Sequence, residues 1–508
     1  MDTLIRSFLL VLLVLTGLSA CSQQKAEQGE VRIALAQQVM TLDPRFSTDA
    51  ASHRVQELVH RGLVHLDEHF EAQPDLAESW TQPDPLTWRF HLRADLSFHN
   101  DSPVTAADVA ATLQSILDPA TASPLRAGFS AIESVQAEGQ RDVVLHLLRP
   151  DASLLTRLSI GVLPASVAAL GNQSQTITGC GAFRVAGRDG RGLLLERAGR
   201  PGVGQASPGA VQSIRFIVVK DPVTRCLKLA RGEVDFTEND LPPHLLGYLK
   251  KQKQLTIATR PSTTFAYLGM NLQDERLKDV RVRRALAMGV DRERLKNALY
   301  AGLPVLGETV LTPTHWASAA IPAIAYDPEQ AAALLDGAGF KPDANGVRFS
   351  LNYRTSTDPA RLRMASAIAD MWRRIGVDVK VESLEWGGFY ARIKQGDFQV
   401  FSLAWVGIVD PDIYRWILHS SMWPPKGANR GRYANKQVDA WLDEAAASQS
   451  REEQKDLYAR IQHQMAEDQV YIPLWYEPVI AVSGLRLQGF SPAPDGSLLG
   501  LLQARVKN

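Results

Sequence analysis

The stretch LTWRFHLRADLSFHNDSPVTAADVAATLQSIL, Leu86 to Leu117, changes its hydrophobic period part-way along. In its first part Trp88, Phe90 and Leu92 alternate with polar residues, the period-two pattern of a half-buried strand. In its second part Val109, Leu113, Ile116 and Leu117 fall on one face at helical spacing. Thr105 suits the N-cap of that helix, and Asp108 at the third helical position lies near the positive end of the dipole. A strand followed by a capped helix is the unit from which α/β layers are built.

The same alternation extends in both directions. EVRIALAQQVMTLDP (30–44) opens as a strand through Val31, Ile33 and Leu35 and leaves into a turn at Asp43-Pro44. SHRVQELVHRGLVHLD (52–67) carries Val55, Leu58, Val59 and Leu63 at helical spacing. VQSIRFIVVKDPVTRCLKLARGEVDF (211–236) reads as strand, helix, Gly232 and a short strand. DVRVRRALAMGVDRERLKNALYAG (279–302) is helical on both sides of Gly289, with Asp291 placed to cap the second piece. In AYDPEQAAALLDGAGF (325–340) Asp327 caps, Pro328 takes the first helical position and Gly337 closes the helix. Strands are expected at VRFSLNYRT, VDVKVESLEW and FQVFSLAW.

The bulk numbers fit a large folded chain. The 508 residues suffice for about three domain-sized units. With 55 basic and 55 acidic side chains the net charge is zero, which leaves no electrostatic footprint for nucleic acid. The N-terminal MDTLIRSFLLVLLVLTGLSAC has a basic residue, a short apolar run and a small-residue end, the form of a secretory signal. Its apolar run is too short to span a bilayer. The ending LSAC, closing on Cys21, resembles the bacterial lipobox, which implies acylation of that cysteine and a lipid tether to a membrane. Only Cys180 and Cys226 remain beyond it; they are no disulfide framework, and whether they pair stays open.

The ordered series TLDP (41–44), PDLAESW (74–80), WRFHLRADLSFHNDSPVTAADV (88–109), DPATASP (118–124), GCGAFRV (179–185), DERLKDVRVRRALAMGVDRERL (274–295), YDPEQAAALLDGAGF (326–340), EWGGFYARIKQGDFQVFSLAW (385–405) and DPDIYRWILHS (410–420) resembles the bacterial extracellular solute-binding proteins of family 5. These are peptide- and nickel-type receptors of ABC importers. The resemblance implies an α/β, two-lobed periplasmic-binding-protein type II fold with an extra subdomain and a two-segment hinge. The organisation expected is a signal peptide at 1–20 and a tether at 21–30. Lobe I is then 31–47 with 172–262 and 481–508, its extra subdomain 48–171, and lobe II 263–480. The hinge crossovers are expected near TTFAYLGMN (263–271) and YIPLWYEPV (471–479). The implied role is capture of a short peptide between the lobes for delivery to a permease and ATPase complex. The alternatives are a non-peptide ligand such as a nickel chelate or haem, or a sensor or chaperone lipoprotein. The implied setting is the periplasm or cell surface, as a monomer, with no cofactor and no nucleic-acid partner.

Site residues follow from the same resemblance. Trp405 ends a strand that in peptide-binding members donates backbone hydrogen bonds to an extended ligand, and Trp386 matches another pocket-facing aromatic. Gly407 and Ile408 lie in the loop after Trp405. In peptide receptors a carboxylate three residues after this tryptophan grips the ligand's α-ammonium; here that position is Ile408, which offers a cation nothing. Asp410 either slides into that role or belongs to a turn, with Asp412 capping the following helix. For a ligand carboxylate the positions of Ile393 and Ser402 are not basic, and Arg354 and Arg361 are substitutes. In the first lobe Ser47, Thr48 and Leu125 fall where the family meets its ligand.

Catalysis finds no support. There is no G-x-S-x-G, P-loop or zinc motif, and Gly179, Gly181 and Gly187 do not form a dinucleotide fingerprint. His65 and His69, four apart in an expected strand-turn, lack the helical geometry of a metal pair.

Overall fold

The structure is a computed structural model and describes residues 28–170, 178–199, 208–239, 241 and 243–507. The expected signal peptide and Cys21 lie outside the described residues. Among those described, eleven strands join into one sheet. From one edge it runs Val377–Leu384, Phe349–Ser356, Val400–Trp405, Leu255–Met270, Tyr471–Gly484, Phe236–Glu238, Glu30–Leu35, Ser213–Val218, Gly192–Arg197 and Phe183–Asp189; the short Val305–Leu306 adds to Tyr471–Gly484. Each lobe has its own parallel group, Glu30–Leu35 with Ser213–Val218 and Phe236–Glu238 in one, and Phe349–Ser356 with its two neighbours in the other.

Two long antiparallel strands join these groups. Leu255–Pro261 pairs with Pro478–Gly484, and Phe265–Gly269 pairs with Tyr471–Tyr476, with the register broken between Pro261 and Phe265. Pro261 and Pro478 sit opposite each other at that break, and neither has an N–H to give the ladder. The buried cores divide at the same place. Phe265, Tyr267, Ile472 and Trp475 pack on the second-lobe side, while Ile480, Ala481 and Val482 pack on the first-lobe side.

The four-stranded antiparallel sheet Ala77–Asp84, Thr87–Leu92, Asp142–Leu147 and Ile132–Glu138 carries the helix Ala106–Leu117. Trp88, Phe90 and Leu92 meet Val109, Leu113 and Ile116 in one core, as the opening stretch predicts. The Asp108 carboxylate accepts the Thr105 N–H at 2.8 Å, the Thr105 hydroxyl at 2.7 Å and the Ala165 N–H at 2.8 Å. It therefore ties the helix start to a neighbouring segment. The helix Ala50–Val59 packs Val55, Leu58 and Val59 into the first-lobe core instead. Gly179 sits against its last turn, where a Cβ would stand 1.9 Å from the Val59 carbonyl oxygen. Close packing, not nucleotide binding, accounts for that glycine.

Asp291 and Asp327 each accept a backbone N–H three residues on, as their positions before helices predict, and Asp221 does the same before its own helix. Cys180 and Cys226 are free thiols buried in two different cores, so the open question of their pairing is answered. Burial pushes the Cys180 thiol up to about 12, which makes it a poor nucleophile. Replacing Asp108 with alanine should cost about 1–3 kcal/mol through the lost cap and tie, read as a lower urea midpoint at unchanged slope.

Candidate functional site

Trp405 sits at the end of its strand, opposite Phe265 at the crossover. On its inner edge the strand pairs with Leu255–Met270 through Trp405 itself. On its outer edge the ladder to Phe349–Ser356 involves only Val400 and Phe401. Ser402 to Trp405 thus have no ladder partner on that edge among the described residues. Val406 follows, 74% exposed, and then Gly407 at φ +70°, a conformation that favours glycine.

Behind this edge lies a column of rings and one cation. Trp405 stacks on Tyr267 with centroids 5.8 Å apart and planes 5° from parallel. The Arg430 guanidinium carbon stands 4.5 Å from the Trp405 centroid. Arg430 donates to the phenol oxygens of Tyr267 and Tyr390, each at 3.1 Å. Tyr390 in turn stacks on Trp386, centroids 5.6 Å apart, and Trp386 is 52% exposed. Arg430 is buried, and among the described residues no carboxylate lies within ion-pair distance. Arginine stays charged under all ordinary conditions. The column therefore holds a net positive charge behind two tryptophans, stabilised by π-faces and neutral oxygens alone.

The two sides of the cleft touch at its rim. The Ser153 hydroxyl donates to Asp410 Oδ1 at 2.7 Å, and Arg157 stands 3.9 Å from Asp410 Oδ2 and also pairs with Asp151. His69 donates from Nδ1 to the Thr314 carbonyl at 2.9 Å, and its own carbonyl accepts the Trp316 N–H at 3.1 Å. Phe70 stacks on His315 at 5.5 Å. Nearer the crossover, the Ile408 N–H donates to the Thr263 carbonyl at 3.1 Å. Burial raises the Asp410 carboxyl above the usual carboxylate range, against the Asp412 N–H, the Ser153 hydroxyl and Arg157, which favour its charged form. Asp412, also buried and beside Asp410, is pushed up to about 7.

Residues 71–423 match the model of the bacterial extracellular solute-binding proteins, family 5 Middle. The chain belongs to this family. A Pseudomonas aeruginosa relative described as a probable di/tripeptide-binding protein is 27% identical over 453 residues, covering 83% of this chain and 85% of its own. A periplasmic oligopeptide-binding protein of Haemophilus influenzae is 26% identical, with 89% of each chain covered. A Campylobacter jejuni structure, NikZ in complex with Ni(L-His), superposes with a TM-score of 0.74 at 25% identity, covering 94% of this chain and all of that one. The two-lobed α/β architecture expected of a family 5 protein is the one observed. No helix among the described residues is long and apolar enough to cross a membrane.

The structure sorts the expected site residues of this family 5 chain. It places Gly407 and Ile408 in the loop after Trp405 and links Trp386 to Trp405 through Tyr390 and Arg430. Ser47 keeps an enclosed hydroxyl with no hydrogen-bond partner among the described residues, while Thr48 is exposed. Leu125 is half-buried and packs on the core of the four-stranded sheet.

Three expectations are corrected. Arg354 is not a free anchor: Asp397 grips it at 2.9 and 3.0 Å, and Glu382 lies 3.5 Å away. Ser402 is fully buried with its hydroxyl 3.4 Å from that of Thr355, because its side chain points away from the Trp405 face. Asp412 occupies the N-cap position of Ile413–Leu418 but makes no capping bond; Asp410 accepts the Asp412 N–H at 2.9 Å instead. Asp410 is thus both turn former and inter-lobe contact. Arg430 was missed because its ring partners come from residues 267, 390 and 405, far apart in the chain.

Asp410→Ala should remove the Ser153 contact and favour an opened ligand-free form, read as a larger radius of gyration by small-angle scattering.

Proposed function

We propose that this chain is the substrate-binding component of an ABC importer and that it captures a short peptide between its lobes. The observation that carries this reading is the outer edge of Ser402 to Trp405, unpaired next to Trp405 and the exposed Val406. An extended ligand can add there as one more strand, using backbone groups that any sequence supplies. The register break at Pro261 and Pro478 is the hinge on this reading, and ligand selects the closed arrangement. Arg430 behind Trp405 supplies positive potential for the ligand's carboxylate. Arg361, 4.0 Å from Glu477, is less free to do so. The finer assignments extend the same reading: a monomer, tethered by lipid on Cys21 at the periplasmic or outer cell surface, delivering to a permease and ATPase.

A second reading is an anionic non-peptide such as a metal–carboxylate chelate. Arg430 and the missing acid at Ile408 favour it, and the Campylobacter relative was solved with Ni(L-His).

Thermal unfolding of the lipid-free mature chain separates the two. A ligand at about 100 times its dissociation constant adds about 2.7 kcal/mol. The expected result is stabilisation by di- to pentapeptides that weakens at least tenfold in affinity with C-terminal amides, and a loss of that discrimination in Arg430→Met. Stabilisation by nickel–histidine but by no peptide replaces the first reading with the second.

A further inference from the structure

Glu238 ends the strand Phe236–Glu238, which lies between Glu30–Leu35 and the crossover strand Tyr471–Gly484. Because that strand is parallel to Glu30–Leu35, Glu238 stands at the carboxyl end of the first lobe's parallel group. Open α/β sheets take ligands at that end. Its Cα partner is Ala481, and the adjoining Asn239 exchanges hydrogen bonds with Ile480, a few residues from the crossover. The side chain is only 7% exposed, and neither carboxylate oxygen meets a hydrogen-bond donor among the described residues. A buried acid with no donor is costly in a structure held by folding alone.

The surroundings do not neutralise it. The charged neighbours that act on Glu238 are Arg54 on the helix Ala50–Val59, Glu57 on the same helix and Asp495 on the C-terminal segment. Arg54 is turned toward the backbone of Gly496, where a Cβ would lie 2.8 Å from its Nη2. Glu57 is already engaged by the Ser497 hydroxyl at 2.7 Å and by His53 at 3.3 Å. Asp495 accepts the Ser497 N–H at 3.0 Å, and burial raises its carboxyl as well. Burial pushes the Glu238 carboxyl up to about 8. This acidic group joins the Trp405 loop through one residue: the Pro494 carbonyl accepts the Thr263 N–H at 2.9 Å, and Thr263 in turn accepts from Ile408.

We propose that Glu238 is the cation anchor of the cleft, holding the ammonium group of a ligand against the first lobe, with Asp495 and Glu57 adding negative potential. The inference rests on the reading of this chain as a peptide-binding receptor and names where the peptide's amine goes. It assigns that amine to the lobe opposite Ile408, where an acid stands without a donor among the described residues. In the ligand-free protein near neutral pH the carboxyl is protonated. An arriving ammonium takes the place of that proton: the carboxylate pairs with the ammonium and the proton leaves to solvent. Binding is therefore accompanied by proton release.

The sign of the pH effect follows. Glu238 has its folded pKa raised, so the ligand-free protein binds more protons than the unfolded chain between about 4.5 and 8. That contribution to stability is present below the unfolded pKa and is lost as pH rises through the folded one. Relative to Glu238→Gln, wild-type stability should fall across this window.

The test is isothermal titration of the lipid-free mature chain at pH 6.5 with trialanine and with N-acetyl-trialanine, in two buffers of different ionisation enthalpy. The expected result is at least a tenfold preference for the free amine and close to one proton released per trialanine. Both should be lost in Glu238→Gln, with the acetylated peptide binding as before. Retention of the preference or the proton release in Glu238→Gln overturns the anchor. So does the absence of proton release in the wild type, which needs no variant to fold. If neither peptide binds, the peptide reading fails, and spermidine then decides the anchor alone. Spermidine binding that Glu238→Gln abolishes supports it; no spermidine binding to the wild type overturns it.

Discussion

The pairing of Leu255–Met270 with Tyr471–Gly484 is the constraint on which the rest of the molecule depends. It carries one sheet through both lobes, so every strand of that sheet is registered, directly or through neighbours, to these two. The ladder breaks register around Pro261 and Pro478, where both residues lack an N–H, and shifts once more between Ala266 and Tyr267. A sheet continuous on both sides of a local break is stiff within each lobe and weakest between them. The cores obey the same division, since residues on either side of the break contribute to separate clusters.

Charge is distributed unevenly across that junction. The second lobe has a guanidinium, Arg430, held among aromatic rings with no carboxylate in reach among the described residues. The first lobe has a carboxyl, Glu238, held with no donor in reach among the described residues. A folding problem alone would place such groups together, because each neutralises the cost of the other. Asp410 shows what a satisfied acid looks like here: hydroxyl, backbone N–H and a nearby guanidinium converge on it, and it joins the lobes at the rim. On the proposed reading, that contrast separates groups that serve the structure from groups left over for a ligand.

Much of the fold was legible in the sequence because it is local. The period change between Trp88 and Val109, the caps at Thr105, Asp291 and Asp327, and the strands around Phe349, Val377 and Val400 are each decided within a few residues. Half of the site was legible for the same reason, since Trp405, Gly407 and Ile408 form one loop. The errors fell where a side chain's partner lies elsewhere in the chain. Arg354 looked free until Asp397 was brought to it from forty-three residues away. Ser402 looked available until the pleat turned it away from Trp405. Asp412 looked like the cap because its place before the helix is right, but the N–H that needs an acceptor is its own.

What the sequence determined by itself is the α/β architecture, the identity of the helix starts and the presence of an aromatic edge beside a glycine turn. These depend on period, capping and backbone preference, all short-range. Only the tertiary structure decided which charges remain unpaired. An arginine or glutamate looks the same in a sequence whether its partner is present or missing. Whether it pairs depends on long-range folding that sets Tyr267, Tyr390 and Trp405 around Arg430 and leaves Glu238 at a strand end without a donor among the described residues.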